Sequence, residues 1–118
     1  MSEKGNKLNA WIIKPTDFDA KKKYPVLMYQ YSGPGSQSVA NQWNSSNDYW
    51  YYMLAQKGYI VVCVDGRGTG LKGRDFKKIT QKELGKYEVE DQIAAAKKLA
   101  KRNYIDENNI GIWGWSYG

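Results

Sequence analysis

The sequence predicts an α/β fold, a mostly parallel sheet with helices on both faces. Three observations carry that prediction. Short apolar, β-branched or aromatic runs alternate with stretches of helical period along the chain, the pattern of strands linked by crossover helices. Residues 26–31 and 59–64 are almost continuously apolar, as strands covered on both faces must be. The last strand candidate, residues 110–115, runs straight into Gly114-Trp115-Ser116-Tyr117-Gly118. That G-x-S-x-G sequence is the elbow that turns a strand sharply into a helix in α/β-hydrolase sheets. Residues 1–118 therefore read as the N-terminal portion of one truncated α/β-hydrolase domain, ending at its nucleophile elbow.

Each element has its own signature. Residues 8–13 contain Trp11, Ile12 and Ile13 and are stopped by Pro15; they are expected at one sheet edge, antiparallel to the rest. A polar loop follows, and Tyr24-Pro25 opens the second strand, residues 26–31, which Ser32-Gly33-Pro34-Gly35-Ser36 breaks. Asp48 is placed to cap a helix over 49–57, with Gly58 just past its end. Trp50, Leu54 and the tyrosines between them supply that helix's buried face. Residues 59–64 form the clearest strand, and Asp65-Gly66-Arg67-Gly68-Thr69-Gly70 ends it. Residues 74–80 make only a helical stub. The best-defined helix spans 86–102, where Val89, Ile93, Ala96 and Ala100 recur at helical spacing. Glu88, Glu90 and Asp91 crowd its first turns and Lys97, Lys98, Lys101 and Arg102 its last, matching the helix dipole at both ends. Residues 103–109 read as a turn before the final strand. Val61, Val62, Ile93 and Ile112 are expected in the core.

Composition excludes several classes of function. The net charge of +6 comes from lysines in separate places, a solvated surface and not the continuous stripe that nucleic-acid binding needs. The single cysteine, Cys63, lies inside an apolar strand; it has no intrachain partner and reads as a buried thiol. The first ten residues are polar, so the sequence shows no signal peptide, and no apolar stretch is long enough to span a membrane. Nothing calls for a metal or a cofactor.

The elbow carries the chemistry. Its serine sits on a strained turn, and side chains at the flanking glycine positions would collide with neighbouring backbone. A serine hydroxyl is a poor nucleophile until a base, normally histidine, takes its proton. The chain contains Ser116 and no histidine. A competing pattern, Gly68-Thr69-Gly70-Leu71-Lys72-Gly73, fits the G-x-G-x-x-G dinucleotide fingerprint. Against it stand the two residues between Asp65 and the first glycine, the short helical stub that follows, and acids falling at a helix start and not at a strand end. Tyr31 has two readings, a packing aromatic or a phenol aimed at the carbonyl that Ser116 would attack.

Four segments together resemble the dipeptidyl peptidase IV subfamily of prolyl-oligopeptidase-type serine peptidases, in its catalytic domain. They are Tyr24-Pro25 leading into Tyr31-Ser32-Gly33-Pro34, Asp65-Gly66-Arg67-Gly68-Thr69-Gly70, Glu88-Val89-Glu90-Asp91-Gln92, and Trp113-Gly114-Trp115-Ser116-Tyr117-Gly118. The resemblance implies Ser116 as acylating nucleophile, with the Tyr31 hydroxyl and the Tyr117 backbone N–H as oxyanion donors. It makes the loop after Asp65 structural. It implies release of dipeptides from peptides with a free N-terminus, with proline or alanine preferred in second position. It also implies a β-propeller whose acidic residues hold the substrate amine, and a parent at the periplasm or cell surface; it allows a homodimer. The triad Asp and His of the family are expected beyond Gly118, so this chain alone is expected to be inactive. Tripeptide-releasing relatives share the elbow and stay open as an alternative. So does a non-catalytic interaction fragment presenting an unpaired strand edge.

Overall fold

The computed structural model of the protein describes residues 5–43 and 48–118. Its elements are β1 (Asn9–Ile13), β2 (Tyr24–Tyr29), α1 (Tyr49–Gln56), β3 (Ile60–Asp65), α2 (Arg74–Lys78), α3 (Lys86–Ala100) and β4 (Ile105–Trp113). The strands form one sheet in the order β1-β3-β2-β4. β1 runs antiparallel to β3 at one edge, as expected, while β2 is parallel to both β3 and β4. The result is a mixed α/β sheet with β3 and β2 at its centre and β4 at the edge opposite β1.

All six residues of β3 are buried. Ile60, Val62 and Val64 share one core cluster with Val26, Met28 and Ile105 from the neighbouring strands and Ala95 and Leu99 from α3. On the other face Tyr51 of α1 meets Trp11 and Tyr29, with ring centroids 6.0 and 5.3 Å away. Alternation along the strand separates the two sets, so helices cover both faces of β3. Cys63 is buried and its thiol is pushed up, first by desolvation and then by the charge of Asp65.

Several boundaries and faces differ from the sequence expectations. β2 ends at Tyr29, leaving Tyr31 in the loop beyond the strand. β4 begins at Ile105, within the residues expected to form a turn. Tyr24 pairs with Ile105, and the register then shifts so that Val26 pairs with Ile110. The polar residues between are absorbed as an irregularity in which Asp106 accepts the Asn108 N–H and the Asn109 side-chain amide. α1 buries Tyr51 and Ala55, whereas Trp50 stands at the surface and Leu54 is half-buried. Asp48 occupies the N-cap position without a side-chain capping bond. The far end behaves as expected: Gly58 N–H bonds Ala55 O, and Tyr59 N–H bonds Leu54 O, a Schellman closure.

The largest correction concerns α3. Its buried stripe is Glu88, Asp91, Gln92, Ala95 and Leu99, about one residue away from the apolar set read in the sequence. Val89 is 56% exposed and Ile93 49%. Asp91 pairs with buried Arg67, and Gln92 bonds the Val64 carbonyl of β3; these polar anchors set the rotation of the helix. Val89 and Ile93 turn instead toward β4, where Ile112 is also exposed, at 56%. Ile112 belongs to an edge strand that α3 covers only in part, and the three side chains line an apolar trough with Met28 and Leu84.

Candidate active site

The site lies where the parallel strands end. The ladder between β2 and β4 continues one step past β2, with Gln30 N–H bonded to Trp113 O at 3.1 Å. Beyond Trp113 the chain turns at once, and Gly118 N–H closes the turn on Trp115 O at 3.0 Å. Ser116 sits inside it with φ of +60°, in the left-handed region, at a cost of about 1–3 kcal/mol for a residue other than glycine. Both flanking glycines are required by close approach. A Cβ on Gly114 would lie 2.7 Å from the Gln30 carbonyl oxygen, and one on Gly118 would overlap that same oxygen. The side chain of Ser116 is exposed.

Tyr31 stands on the loop after β2, half-buried, with its ring centroid 6.3 Å from that of Tyr117. The structure therefore brings Tyr31 and the elbow residues to one end of the sheet. Among the described residues, neither the Tyr31 hydroxyl nor the Tyr117 backbone N–H has a protein hydrogen-bond partner. The Tyr117 hydroxyl does have one, donating to Glu88 Oε1 at 2.8 Å. Desolvation, then that bond and the carboxylate's charge, pushes the Tyr117 phenol up to about 12.

The loop carrying Tyr31 is stitched to the glycine-rich loop after β3. Gly35 N–H bonds Gly68 O at 2.8 Å, and Gly70 N–H bonds Ser36 O at 2.7 Å. The Asp65 carboxylate accepts the Ser38 and Val39 N–H groups, and its pKa is raised by burial. Arg67 is 2% exposed and Asp91 is fully buried, paired at 2.8 Å, while Glu90 holds the same guanidinium at 3.0 Å. The Arg67 backbone N–H also bonds Asp91, at 2.7 Å.

This wiring disposes of the dinucleotide reading. A phosphate cradle needs free backbone donors, yet the amides of Gly68, Thr69 and Gly70 are bonded to Phe76, Gly66 and Ser36. The helix that follows, α2, has five residues. Among the described residues there is also no cluster of His, Cys, Asp or Glu placed to hold a metal, and no helix long and apolar enough to cross a membrane.

Sequence reasoning missed Glu88, Gln92 and Ser32. Glu88 was accounted for by the helix dipole, which hid its bond to Tyr117. The available signal was the polar set Glu88, Asp91 and Gln92, whose spacing puts all three on one face of α3.

Comparison with known proteins places these features in context. Residues 43–118 match the model of the prolyl oligopeptidase family. A probable dipeptidyl-aminopeptidase B of Phaeosphaeria nodorum is 54% identical over 114 residues, covering 97% of this chain and 12% of that protein. The crystal structure of Porphyromonas gingivalis dipeptidyl peptidase 4 superposes with a TM-score of 0.88 at 55% identity, over 93% of this chain and 15% of that one. A candidate dipeptidyl aminopeptidase IV structure from Bacteroides ovatus gives a TM-score of 0.90 at 37% identity, over 96% of this chain and 16% of that one. The chain thus spans about one eighth of the length of the curated relatives it matches.

Proposed function

The chain belongs to the prolyl oligopeptidase family, and we propose that it is the N-terminal portion of the α/β-hydrolase domain of a serine exopeptidase. The activity proposed is release of N-terminal dipeptides, with proline or alanine preferred in second position, from peptides with a free N-terminus. One observation carries the reading: an exposed Ser116 held at φ +60° between two sterically required glycines, with the Tyr31 ring 6.3 Å from that of the adjoining Tyr117.

In this reading Ser116 Oγ attacks the scissile carbonyl carbon, and its proton passes to a histidine supplied by the rest of the full-length protein. The Tyr31 O–H and the Tyr117 backbone N–H donate to the oxyanion that forms. Collapse breaks the peptide C–N bond, the departing amine takes the proton, and a dipeptidyl ester remains on Ser116. Water, deprotonated by the same base, hydrolyses that ester. The Tyr117 amide and the Tyr31 hydroxyl, both without a partner among the described residues, support these roles. The exposed apolar trough between α3 and the β4 face supports the domain reading, because it fits a further element of the same domain packing over it.

The test is hydrolysis of a glycyl-prolyl anilide by the full-length protein, with mass analysis of the products from a longer peptide. Dipeptide release that vanishes in Ser116→Ala supports the proposal; tripeptide products would move it to the tripeptidyl alternative. The 118-residue chain has no histidine, so by itself it is expected to stay unlabelled by a fluorophosphonate probe. Stoichiometric labelling at Ser116 would reveal a base within the chain.

A further inference from the structure

The two proposed oxyanion donors come from segments far apart in sequence, and one helix touches both. Gln92 of α3 is buried and donates Nε2 to the Val64 carbonyl at 3.0 Å and to Ser32 Oγ at 3.3 Å. Ser32 directly follows Tyr31, is itself buried, and holds φ at +56°. One turn earlier on the same face, Glu88 accepts the Tyr117 hydroxyl at 2.8 Å while being 5% exposed. Among the described residues this is the one side-chain hydrogen bond that ties residues 114–118 to another element.

The two side chains carry an unmet cost. Among the described residues, Glu88 Oε2 and Gln92 Oε1 are both buried without a hydrogen-bond partner. A buried acceptor left unsatisfied is unfavourable, more so on a carboxylate, and apolar residues at these positions would extend the Ala95–Leu99 face at no such cost. A fold that retains polar groups there uses them for placement and not for net stability.

We propose that Glu88 and Gln92 are positioning residues of the active site, forming a bracket on α3. Glu88 fixes Tyr117, and through it the backbone N–H next to Ser116; Gln92 fixes Ser32, and through it the direction of Tyr31. The bracket rests on the oxyanion roles proposed above. Its logic is geometric: two donors on independent segments must converge on one oxygen, and small displacements of either erode the stabilisation. A single rigid helix sets their separation.

The test uses the full-length enzyme and four variants, Glu88→Met, Glu88→Gln, Tyr117→Phe and Gln92→Met, each with a thermal unfolding control. Glu88→Met and Tyr117→Phe should lower kcat by roughly 10- to 10²-fold with KM changed less than about twofold. Phosphonylation of Ser116 by a fluorophosphonate should slow in parallel. Glu88→Gln keeps an acceptor for the tyrosine and should recover most of the loss. The double variant Glu88→Met with Tyr117→Phe should be no worse than either single change, because both remove one bond. Gln92→Met should likewise lower kcat, and combining it with Tyr31→Phe should add little. Wild-type kcat in Tyr117→Phe would overturn the Glu88 arm even if Glu88→Met failed to fold. A Glu88→Gln variant as impaired as Glu88→Met would overturn it too. Turnover that survives Ser116→Ala would overturn the functional reading itself, and the bracket with it.

Discussion

Two glycine-rich turns leave the same end of this sheet and do opposite things. The one after β3 runs through Gly66, Gly68 and Gly70, and the one after β4 through Gly114 and Gly118. In the first, the amides of Gly68 and Gly70 are bonded and the charged side chain of Arg67 is buried against Asp91 and Glu90. In the second, the serine is exposed and strained, and the Tyr117 amide has no partner among the described residues. Glycine content does not separate a structural turn from a reactive one. What separates them is whether donors and side chains have already found partners.

The largest expected effect falls on the second turn. In the full-length protein Ser116→Ala should reduce kcat by about 10⁵–10⁶, the scale of losing a serine nucleophile, with thermal stability little changed, because alanine keeps the Cβ and with it the strain of φ +60°. A variant retaining activity would end the contrast.

The first turn should answer the opposite way. Asp91→Asn weakens the hold on a buried guanidinium, and breaking such a pair costs about 3–5 kcal/mol of stability. Urea unfolding should show that loss, while kcat per folded molecule falls far less than in Ser116→Ala, since Asp91 acts on the site only through the setting of α3. A large fall in kcat without loss of stability would mean that this loop is reactive as well.

Between the two turns lies Tyr31. Tyr31→Phe should lower kcat by roughly 10²–10³, the usual effect of removing an oxyanion donor, with little change in stability since the hydroxyl has no hydrogen-bond partner among the described residues. Unchanged turnover would leave Tyr31 as a packing aromatic.

The smallest effect is a titration. The Tyr117 phenol is raised to about 12 by desolvation and then by Glu88, so the neutral phenol is favoured in the fold. Its contribution to stability is complete below its unfolded value of 10.0 and is lost as pH rises from there through about 12. In Glu88→Gln the midpoint should fall toward 10.0, read by NMR of tyrosine labelled at Cζ. An unmoved midpoint would show that desolvation alone raises it.

Much of this was legible in the sequence, and the parts that were not share a cause. The parallel strands, the antiparallel edge, the burial of Val61 and Val62 and the elbow after the last strand depend on short-range pattern and local sterics. A strand with six apolar or small residues must be covered, and G-x-S-x-G needs its glycines wherever it turns this tightly. The rotation of α3 was different. Val89 and Ile93 have helical spacing, yet the helix turns Asp91 and Gln92 inward because Arg67 and the Val64 carbonyl wait there. The start of β4 was hidden in the same way, since Asp106 and its neighbours join the strand only through pairing with Tyr24. Local periodicity and backbone strain are properties of a few adjacent residues, so the sequence by itself determined the elements, the elbow and its serine. Which face of a helix is buried, where a register slips, and that Glu88 and Gln92 reach Tyr117 and Ser32 are set by partners 29 and 60 residues away. Only the tertiary structure decided those, because a buried polar group goes where its partner is and not where its periodicity points.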